Sequence, residues 1–558
     1  MFTKNIKFSL IVLIIFLANN LFAQKEKYKE EITIVAPYKP DIIEANKINV
    51  NPLIKKSVLK KSDVTYVFKS KNFSTPKSIN VYKPAKLADE KKEKLKTMYL
   101  KFGLGNYTTP YGELFISSPR SKKGNIGVHL KHISSTGKIK NVGPSDYSND
   151  LAEIFGKAVF DNSYLSTSAK YSRNLLHFYG YNPADFLVEP DKNDTKQIFT
   201  LYNFNLKFKS TNQYPEKLNY SSNFKYYHFS DNYTVKEDRI NANILFDKDF
   251  ELFDFTDKQN ISLLTDFDFY NNSSVYYKKS NNFILKFQPN IKFNLANINL
   301  KVGVNASIVS DSVSDVYLYP DIELNTCVSD SALYFYAGVS GNIHKNSFKS
   351  ITDENSFVIS DIPLSYQNNK FHIYGGIKGH VKNNFNYSIS ASNTVFENAH
   401  FFVKDTNFVL KNKFTCVFDD GNVFKIHAEF DYKINNKLNF ILTPNFYSYS
   451  IETEDKPWYK PEFDISLSAK YIFNNNFTFN TGIFVFDKMY YKSYTGNNIV
   501  IDKTIKSAVD LNFSVDYKYS EMLSAFLNLN NIASQKYSHW ENYPLQRFNL
   551  MLGINMSF

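Results

Sequence analysis

The sequence has little of what disulfide-bonded, zinc-binding or low-complexity proteins are rich in. Only 2 of its 558 residues are cysteine, which excludes a disulfide framework and any cysteine-rich zinc module. Glycine (19 residues) and proline (18 residues) are too scarce for a collagen-like or low-complexity chain. Because 43% of the residues are hydrophobic and 22% are charged, the chain can bury a large core, so wholesale disorder is also excluded.

The sequence also lacks any internal apolar run near the roughly 18 residues of a membrane helix. Close to the N-terminus, the apolar run Phe8–Ala18 follows Lys4 and Lys7 and leads to Ala23. This layout predicts a cleaved signal peptide, residues 1–23, since the run is too short to cross a membrane as a helix. The exported chain is then a periplasmic protein, a secreted protein or an outer-membrane barrel.

Positive charge is concentrated in residues 24–96, which contain 18 lysines, no arginine and 9 acidic residues. Five prolines in this segment disfavour a compact domain, so we expect a short, extended periplasmic segment. It is either a solvated tail or a docking arm for an acidic partner or lipid phosphates. Nucleic acid is not an expected partner of an exported chain.

Residues 97–558 repeatedly show the period of two that is typical of a β-strand. Between Val509 and Tyr519 every odd-numbered residue is apolar or aromatic and every even-numbered residue is polar, and residues 202–209 and 424–433 alternate likewise. Such segments have the roughly 10-residue length of a tilted transmembrane strand, whereas soluble sandwiches mostly use strands of about 5–6 residues. The apolar face would contact lipid, and the polar face would line a water-filled lumen. We interpret the candidate lumen residues as wall charges that tune selectivity rather than as catalysts; they are Glu429, Asp431, Asp510, Asp516 and Lys518.

Short and long connections alternate near the C-terminus, as they do in an outer-membrane barrel. Residues 435–437 and 474–476 are asparagine-rich and predict tight turns, whereas residues 452–461 and 487–504 predict long loops. At roughly 40 residues per hairpin, residues 97–558 provide about 22 strands. The predicted fold is therefore all-β, a large antiparallel transmembrane barrel.

The last residues form one more alternating segment, and the sequence stops on an aromatic residue. Its apolar face is Phe548, Leu550, Leu552, Ile554, Met556 and Phe558. A terminal strand that ends in Phe resembles the signal by which barrel-insertion machinery recognises outer-membrane proteins. Lipid of the outer membrane and that machinery are accordingly the first expected partners.

Both ends of the barrel region resemble TonB-dependent receptors. Residues 527–531, Lys536-Tyr537, Tyr543-Pro544 and Arg547 are similar to that family's last two strands and the loop between them. The segment 102–107, with Pro110 and Glu113-Leu114, is similar to the barrel onset of plug-less members.

An N-terminal hexapeptide resembles a TonB box, the extended segment through which such receptors pair with TonB; it is Glu31, Ile32, Thr33, Ile34, Val35 and Ala36. Strand addition would supply backbone hydrogen bonds to TonB or another periplasmic protein. The alternative is a chance apolar run after the signal peptide. Residues 24–96 are about half the length of that family's plug domain and lack its Arg-Gly motif, so the segment is at most a partial plug.

No pattern in the sequence predicts an enzyme, a cofactor or a metal site. His129 and His132 would lie on opposite faces of a strand, so they do not form a metal-binding pair. Cys327 falls on a polar face and Cys416 on an apolar face of distant strands, so a disulfide between them is not expected. The resemblance and the strands together favour an outer-membrane pore or transporter for an unidentified solute. The alternatives are a barrel that scaffolds an envelope complex and a surface adhesin that binds through loops such as residues 179–196.

Overall fold

A computed structural model describes residues 95–558 except 120, 188–189, 213–215, 254–257, 275–278, 311–313, 330–331 and 495–499. The predicted signal peptide, the TonB-box-like residues 31–36 and nearly all of the basic segment 24–96 lie outside the described residues. Contacts divide the chain after Asp89, and all of the described residues belong to the unit Glu90–Phe558.

The described residues form a closed antiparallel barrel of 22 strands, which confirms the predicted fold class and strand number. Its first nineteen strands are β1 (Met98–Gly105), β2 (Thr109–Ser117), β3 (Gly124–Ser135), β4 (Tyr147–Val159), β5 (Ser163–His177), β6 (Lys196–Ser210), β7 (Asn219–Asp231), β8 (Lys236–Phe250), β9 (Gln259–Ser273), β10 (Ser280–Leu295), β11 (Ile298–Ser310), β12 (Ser314–Ser329), β13 (Leu333–Asn346), β14 (Ser365–Val381), β15 (Phe385–Lys404), β16 (Phe414–Asn435), β17 (Leu438–Ile451), β18 (Phe463–Ile472) and β19 (Phe477–Phe486). The last three are β22 (Ala508–Lys518), β23 (Leu523–Asn530) and β26 (Asn549–Ser557).

Additional elements lie in the connections. A hairpin of β20 (Met489–Tyr494) and β21 (Val500–Ile505) precedes β22, and a hairpin of β24 (Ser538–Trp540) and β25 (Tyr543–Pro544) precedes β26. Helix α1 (Phe348–Glu354) joins β13 to β14, and two 3₁₀ turns, Pro183–Asp185 and Lys192–Thr195, lie between β5 and β6. In the described part of the chain, no helix has the length and apolarity to cross a membrane.

The barrel closes where the last strand pairs with the first. In this seam β26 lies between β23 and β1, with Gly553 directly opposite Gly103. A Cβ atom on Gly553 would lie 2.4 Å from the Phe526 ring and 2.1 Å from the Phe102 carbonyl oxygen, so the seam requires glycine there. Phe526, only 2% exposed, covers both glycines.

Because consecutive strands alternate in direction, the connections divide between two ends of the barrel. The end where β1 begins and β26 finishes is called here the turn end, and the opposite end is the loop end. Two turn-end connections are held by one side chain each. Asn435 Oδ1 accepts hydrogen bonds from the amides of Lys437 and Leu438, and Asn474 Oδ1 accepts them from Asn476 and Phe477, at 2.8–3.0 Å.

Candidate functional site: the lid and the cavity beneath it

Contacts between aromatic rings identify which face of the barrel strands, together called the wall, points into the barrel. Phe199 on β6 and Phe229 on β7 stack on each other and both pack against Phe348 of α1, which lies within the loops of the loop end. The face that carries these side chains is therefore inner. Since directly paired residues share a face, the strand register carries this assignment from strand to strand around the barrel.

The sequence-derived wall charges lie on two strands. Glu429 and Asp431 are on β16, on the same face as His427, which hydrogen-bonds Asn445 of β17 at 2.7 Å. Asp516 of β22 accepts a hydrogen bond from Asn480 of β19 at 3.4 Å, and Lys518 lies one pleat further toward the turn end. Asp510 lies at the loop end of β22. The structure brings Asp510 to the cavity described below, while the others lie apart from it, and a role in selectivity stays a prediction.

The lid is the packed set of described residues in the loop-end connections, namely 178–187, 190–195, 347–364, 405–413, 452–462, 487–494, 500–507 and 531–548. Its core is apolar and continuous across these loops, and Trp458 and Phe414 in it are 0% exposed. Phe357 of one loop stacks on Tyr543 of another with ring centroids 3.8 Å apart. The Tyr543 hydroxyl donates to the carbonyl of Asn412, and burial raises its pKa well above the usual value, so it stays a donor.

Helix α1 is fastened to the wall at its first turn. Glu237 of β8 is fully buried, and its carboxylate accepts hydrogen bonds from the amides of Phe348 (2.8 Å) and Lys349 (3.3 Å). The Tyr227 hydroxyl donates to the same carboxylate at 2.7 Å. A negative charge at this position satisfies helix amides that have no intrahelical acceptor.

The other end of α1 is fastened by an ion-pair triad. Glu354, the last residue of the helix, lies 2.8 Å from His400 Nε2 of β15 and 2.6 Å from Lys460 Nζ in loop 452–462. Burial by itself raises the pKa of this carboxyl. The hydrogen bond from His400 and the nearby charges of Lys460 and His400 outweigh that effect and lower the pKa to about 2.

Loop 452–462 is fastened in turn to the strands beside it. Asp419 of β16 accepts hydrogen bonds from the amides of Thr453 (3.0 Å) and Glu454 (2.7 Å). The Glu454 carboxylate accepts from Trp458 Nε1 at 2.7 Å and pairs with Lys492 of β20 at 2.9 Å. The lid is thus a folded structure with its own core and polar ties, rather than a set of separate loops.

A cavity of about 680 Å³ lies between the lid and the inner wall. Glu354, Phe357 and Trp540 line it from the lid. The amides that line it are Asn149, Asn174, Asn530, Asn531, Gln546 and Asn549. Its volume is in the range of roughly 300–1,000 Å³ that is typical of small-ligand pockets.

One polar atom in this cavity has no partner among the described residues. Asp510 Oδ2 accepts hydrogen bonds from Tyr537 and Asn512, at 3.0 and 3.2 Å, whereas Oδ1 is buried and unpaired. The other acids in the lining are already paired, Asp146 with His177 and Lys192 and Glu354 with His400 and Lys460.

The remaining sequence-derived residues are dispersed. His129 pairs with Glu113 and His132 with Asp150, so the two histidines do not form one site. Both cysteines are free, and Cys416 is buried in the lid core rather than on a lipid-facing surface. Within the described ranges, no three His, Cys, Asp or Glu side chains are grouped so as to hold a metal ion. The C-terminal residues Phe548–Phe558 include β26, and their recognition by insertion machinery stays a prediction.

Sequence reasoning did not find the lid. Its contacts join residues that are distant in the chain, such as Phe357 and Tyr543, and no local pattern encodes them. The available signal was weak: buried neighbours such as Phe401 and Phe402 break the alternation at the end of β15, which indicates a strand covered on both faces.

No protein-family model matches the chain, and no curated protein matches its sequence. Several solved structures resemble its fold. The pyoverdine outer membrane receptor FpvA from Pseudomonas aeruginosa PAO1 is 12% identical, with a TM-score of 0.64 over 84% of this chain and 79% of that one. The siderophore receptor PirA from Acinetobacter baumannii is 10% identical, with a TM-score of 0.63 over 84% and 81%. The FrpB iron transporter from Neisseria meningitidis is 10% identical, with a TM-score of 0.64 over 84% and 82%. At these identities the likeness establishes the 22-strand barrel fold.

Proposed function

We propose that the chain is an outer-membrane transporter that admits a small polar solute through a lid-gated lumen. The observation that carries this proposal is the 680 Å³ cavity between the lid and the inner wall, which several amide side chains line. The fold likeness to receptors and an iron transporter of the outer membrane supports the location and the class of activity. In this arrangement the loop end faces the cell exterior and the turn end faces the periplasm.

The solute is proposed to be polar and uncharged or weakly charged. Amides are the most numerous polar side chains in the lining, and the acids Asp146 and Glu354 are already paired with cations. The amide side chains would exchange hydrogen bonds with the solute, and the rings of Phe357 and Trp540 would cover its apolar surface.

Residues 24–96 are proposed to act at the periplasmic mouth, as a partial plug or as the arm that engages TonB or another periplasmic protein. The TonB-box-like residues 31–36 are the proposed contact. Deletion of residues 31–36 should then abolish energy-dependent uptake while leaving the amount of barrel in the membrane unchanged. Unchanged uptake would remove this part of the proposal.

Single-channel conductance in a planar bilayer tests the gate. We expect the mature chain to be silent, and an E237A/E354Q double variant to open intermittently because both fastenings of α1 are weakened. The control is Asp353→Asn, on the same helix, whose carboxylate is 61% exposed and pairs only with Lys349 among the described residues. If the double variant and the same variant without residues 24–96 are both silent, the lid does not gate a conducting path and the transport proposal fails.

A non-transport scaffold is the second candidate. The observation that favours it is the buried apolar core of the lid, which is typical of a stable domain rather than of a mobile gate. It predicts a partner that co-purifies with the chain and is lost when the lysines of residues 24–96 are replaced by glutamine.

A further inference from the structure

Three polar side chains form a row on the outer face of the wall. His132 of β3, Asp150 of β4 and Arg173 of β5 lie directly opposite one another in the strand register. His132 Nδ1 is 2.6 Å from Asp150 Oδ1, and an Arg173 guanidinium nitrogen is 3.6 Å from Asp150 Oδ2. One pleat nearer the turn end, Leu130 and Ala152 continue the same outer face.

The row lies near the loop end of these strands. If the barrel spans the outer membrane as proposed above, this is the height of the headgroups in the outer leaflet, where charged groups avoid the cost of hydrocarbon. Tyr171 and Tyr202, with ring centroids 5.2 Å apart, lie just below the row, as aromatic residues of an interfacial girdle do.

Directly below the row, the outer wall is recessed. Two hollows of about 530 and 420 Å³ adjoin there and share Leu130, Ala152 and Tyr171 in their linings. Small residues, Gly112, Ala152 and Ala169, alternate with bulky ones along this surface, and this produces a groove. His132 and Asp150 line the second hollow themselves, so the groove is continuous with the charged row.

The chemistry of the row suits a phosphorylated sugar. Arg173 is one of only four arginines in a chain whose lysines and arginines number 66. A guanidinium presents a planar fork that matches phosphate, and in the described part of the chain the only carboxylate paired with Arg173 is Asp150, at 3.6 Å. Asp150 can accept hydrogen bonds from sugar hydroxyls.

We propose that this groove binds one phosphorylated glycolipid of the outer leaflet. Arg173 binds a headgroup phosphate, Asp150 and His132 bind sugar hydroxyls, and an acyl chain lies in the groove over Ala152 and Ala169. The inference depends on the proposed outer-membrane location for its biological setting, but binding itself can be measured on the purified barrel.

The test is native mass spectrometry of the purified mature chain in detergent, with added lipid A as the probe. We expect a one-to-one complex, a loss of at least fivefold in the bound fraction for Arg173→Gln, and a similar loss for Ala152→Phe, which fills the groove. The control is His228→Gln, from an outer-face pair on β7 and β8 in which Asp238 is already satisfied by His228 and Tyr226; its binding should stay within twofold of the wild type.

Two further probes test whether the phosphate is recognised and whether it is recognised only as part of a lipid. Dephosphorylated lipid A should bind at least fivefold more weakly, and inorganic phosphate should not compete. Equal binding by the wild type and Arg173→Gln, or full competition by inorganic phosphate, would overturn the proposal. Membrane fractionation reports on the outer-membrane location separately, so failure of that location would not be mistaken for failure of lipid binding.

Discussion

The two ends of the barrel solve the same problem, joining antiparallel strands, in different ways. At the turn end, connections such as residues 436–437 are held by side chains within three residues of the amides they bind. At the loop end, long connections surround a common apolar core, and Phe357, Trp458 and Tyr543 come from three different loops. Closure at the turn end is local, whereas closure at the loop end depends on every loop that contributes to the core.

This difference predicts how many connections a single substitution should affect. A substitution in a turn should change one hairpin, but a substitution in the lid should weaken all the loops that contact it. The lid packs against strands that are already hydrogen-bonded to both neighbours, so a weakened lid should leave the backbone ladder of the wall intact.

The largest effect should come from Trp458→Ala. Truncation of a fully buried tryptophan costs about 3–5 kcal/mol, and here the loss falls on the lid rather than on the strands. We expect rapid protease cleavage of several loop-end connections, with the barrel still resistant to detergent. The control is Phe473→Ala, at the turn end, where the side chain is 56% exposed and truncation should leave cleavage unchanged. Equal cleavage in both variants would show that the two ends do not differ in this way.

Glu237→Ala should have the next largest effect. It leaves the first amides of α1 and the Tyr227 hydroxyl without an acceptor, at a cost of about 1–3 kcal/mol. Hydrogen exchange at residues 348–354 should accelerate while exchange in β22 stays unchanged. Glu237→Gln retains one acceptor oxygen and should fall between the alanine variant and the wild type. Uniform acceleration throughout the barrel would mean that the wall, not the lid, had been weakened.

Acid should loosen the lid through Glu354. Since its pKa is lowered from 4.5 to about 2 in the folded state, its contribution is complete above about pH 4.5 and declines as the pH falls toward 2. Protease sensitivity of the lid should therefore rise over this interval in the wild type. Glu354→Gln should be more sensitive at neutral pH and should show a smaller change with acid. An identical pH profile in both would exclude Glu354 as the responsible group.

The smallest effect should come from Asn474→Ala at the turn end. Two backbone amides lose their side-chain acceptor but stay accessible to water, so the cost should be about 1 kcal/mol or less. Refolding into detergent micelles should slow slightly, and lid cleavage should not change. Increased cleavage of loop 452–462 would show that the two ends are coupled through β18.

The wall could be predicted from the sequence because its determinants are local. The alternation in Val509–Tyr519 depends only on each residue and its neighbours, and β22 (Ala508–Lys518) coincides with that segment to within one residue at each end. The asparagines at 435 and 474 indicated tight turns for the same reason. Each prediction required knowledge of a few consecutive residues.

The lid could not be predicted because its contacts depend on which loops the closed barrel brings together. Glu237 meets α1 across more than a hundred residues of sequence, and its environment in β8 gives no sign of a helix partner. The alternation pattern predicts an apolar, lipid-facing position for Cys416, but at this end of β16 its side chain is buried in the lid core. Apolarity alone does not distinguish a surface that meets lipid from one that meets a distant loop.

The seam has a consequence for the order of assembly. Tyr99 of β1 pairs with Ser557 of β26. The second edge of β1 can therefore be paired only after β26 has been synthesised. Until then both terminal strands present unpaired backbone groups, which makes the unfinished barrel prone to aberrant pairing with other chains. A chain that stops before β26 would leave one edge of β1 and one edge of β23 without a partner strand. Closure of the barrel therefore requires that translation has proceeded through β26.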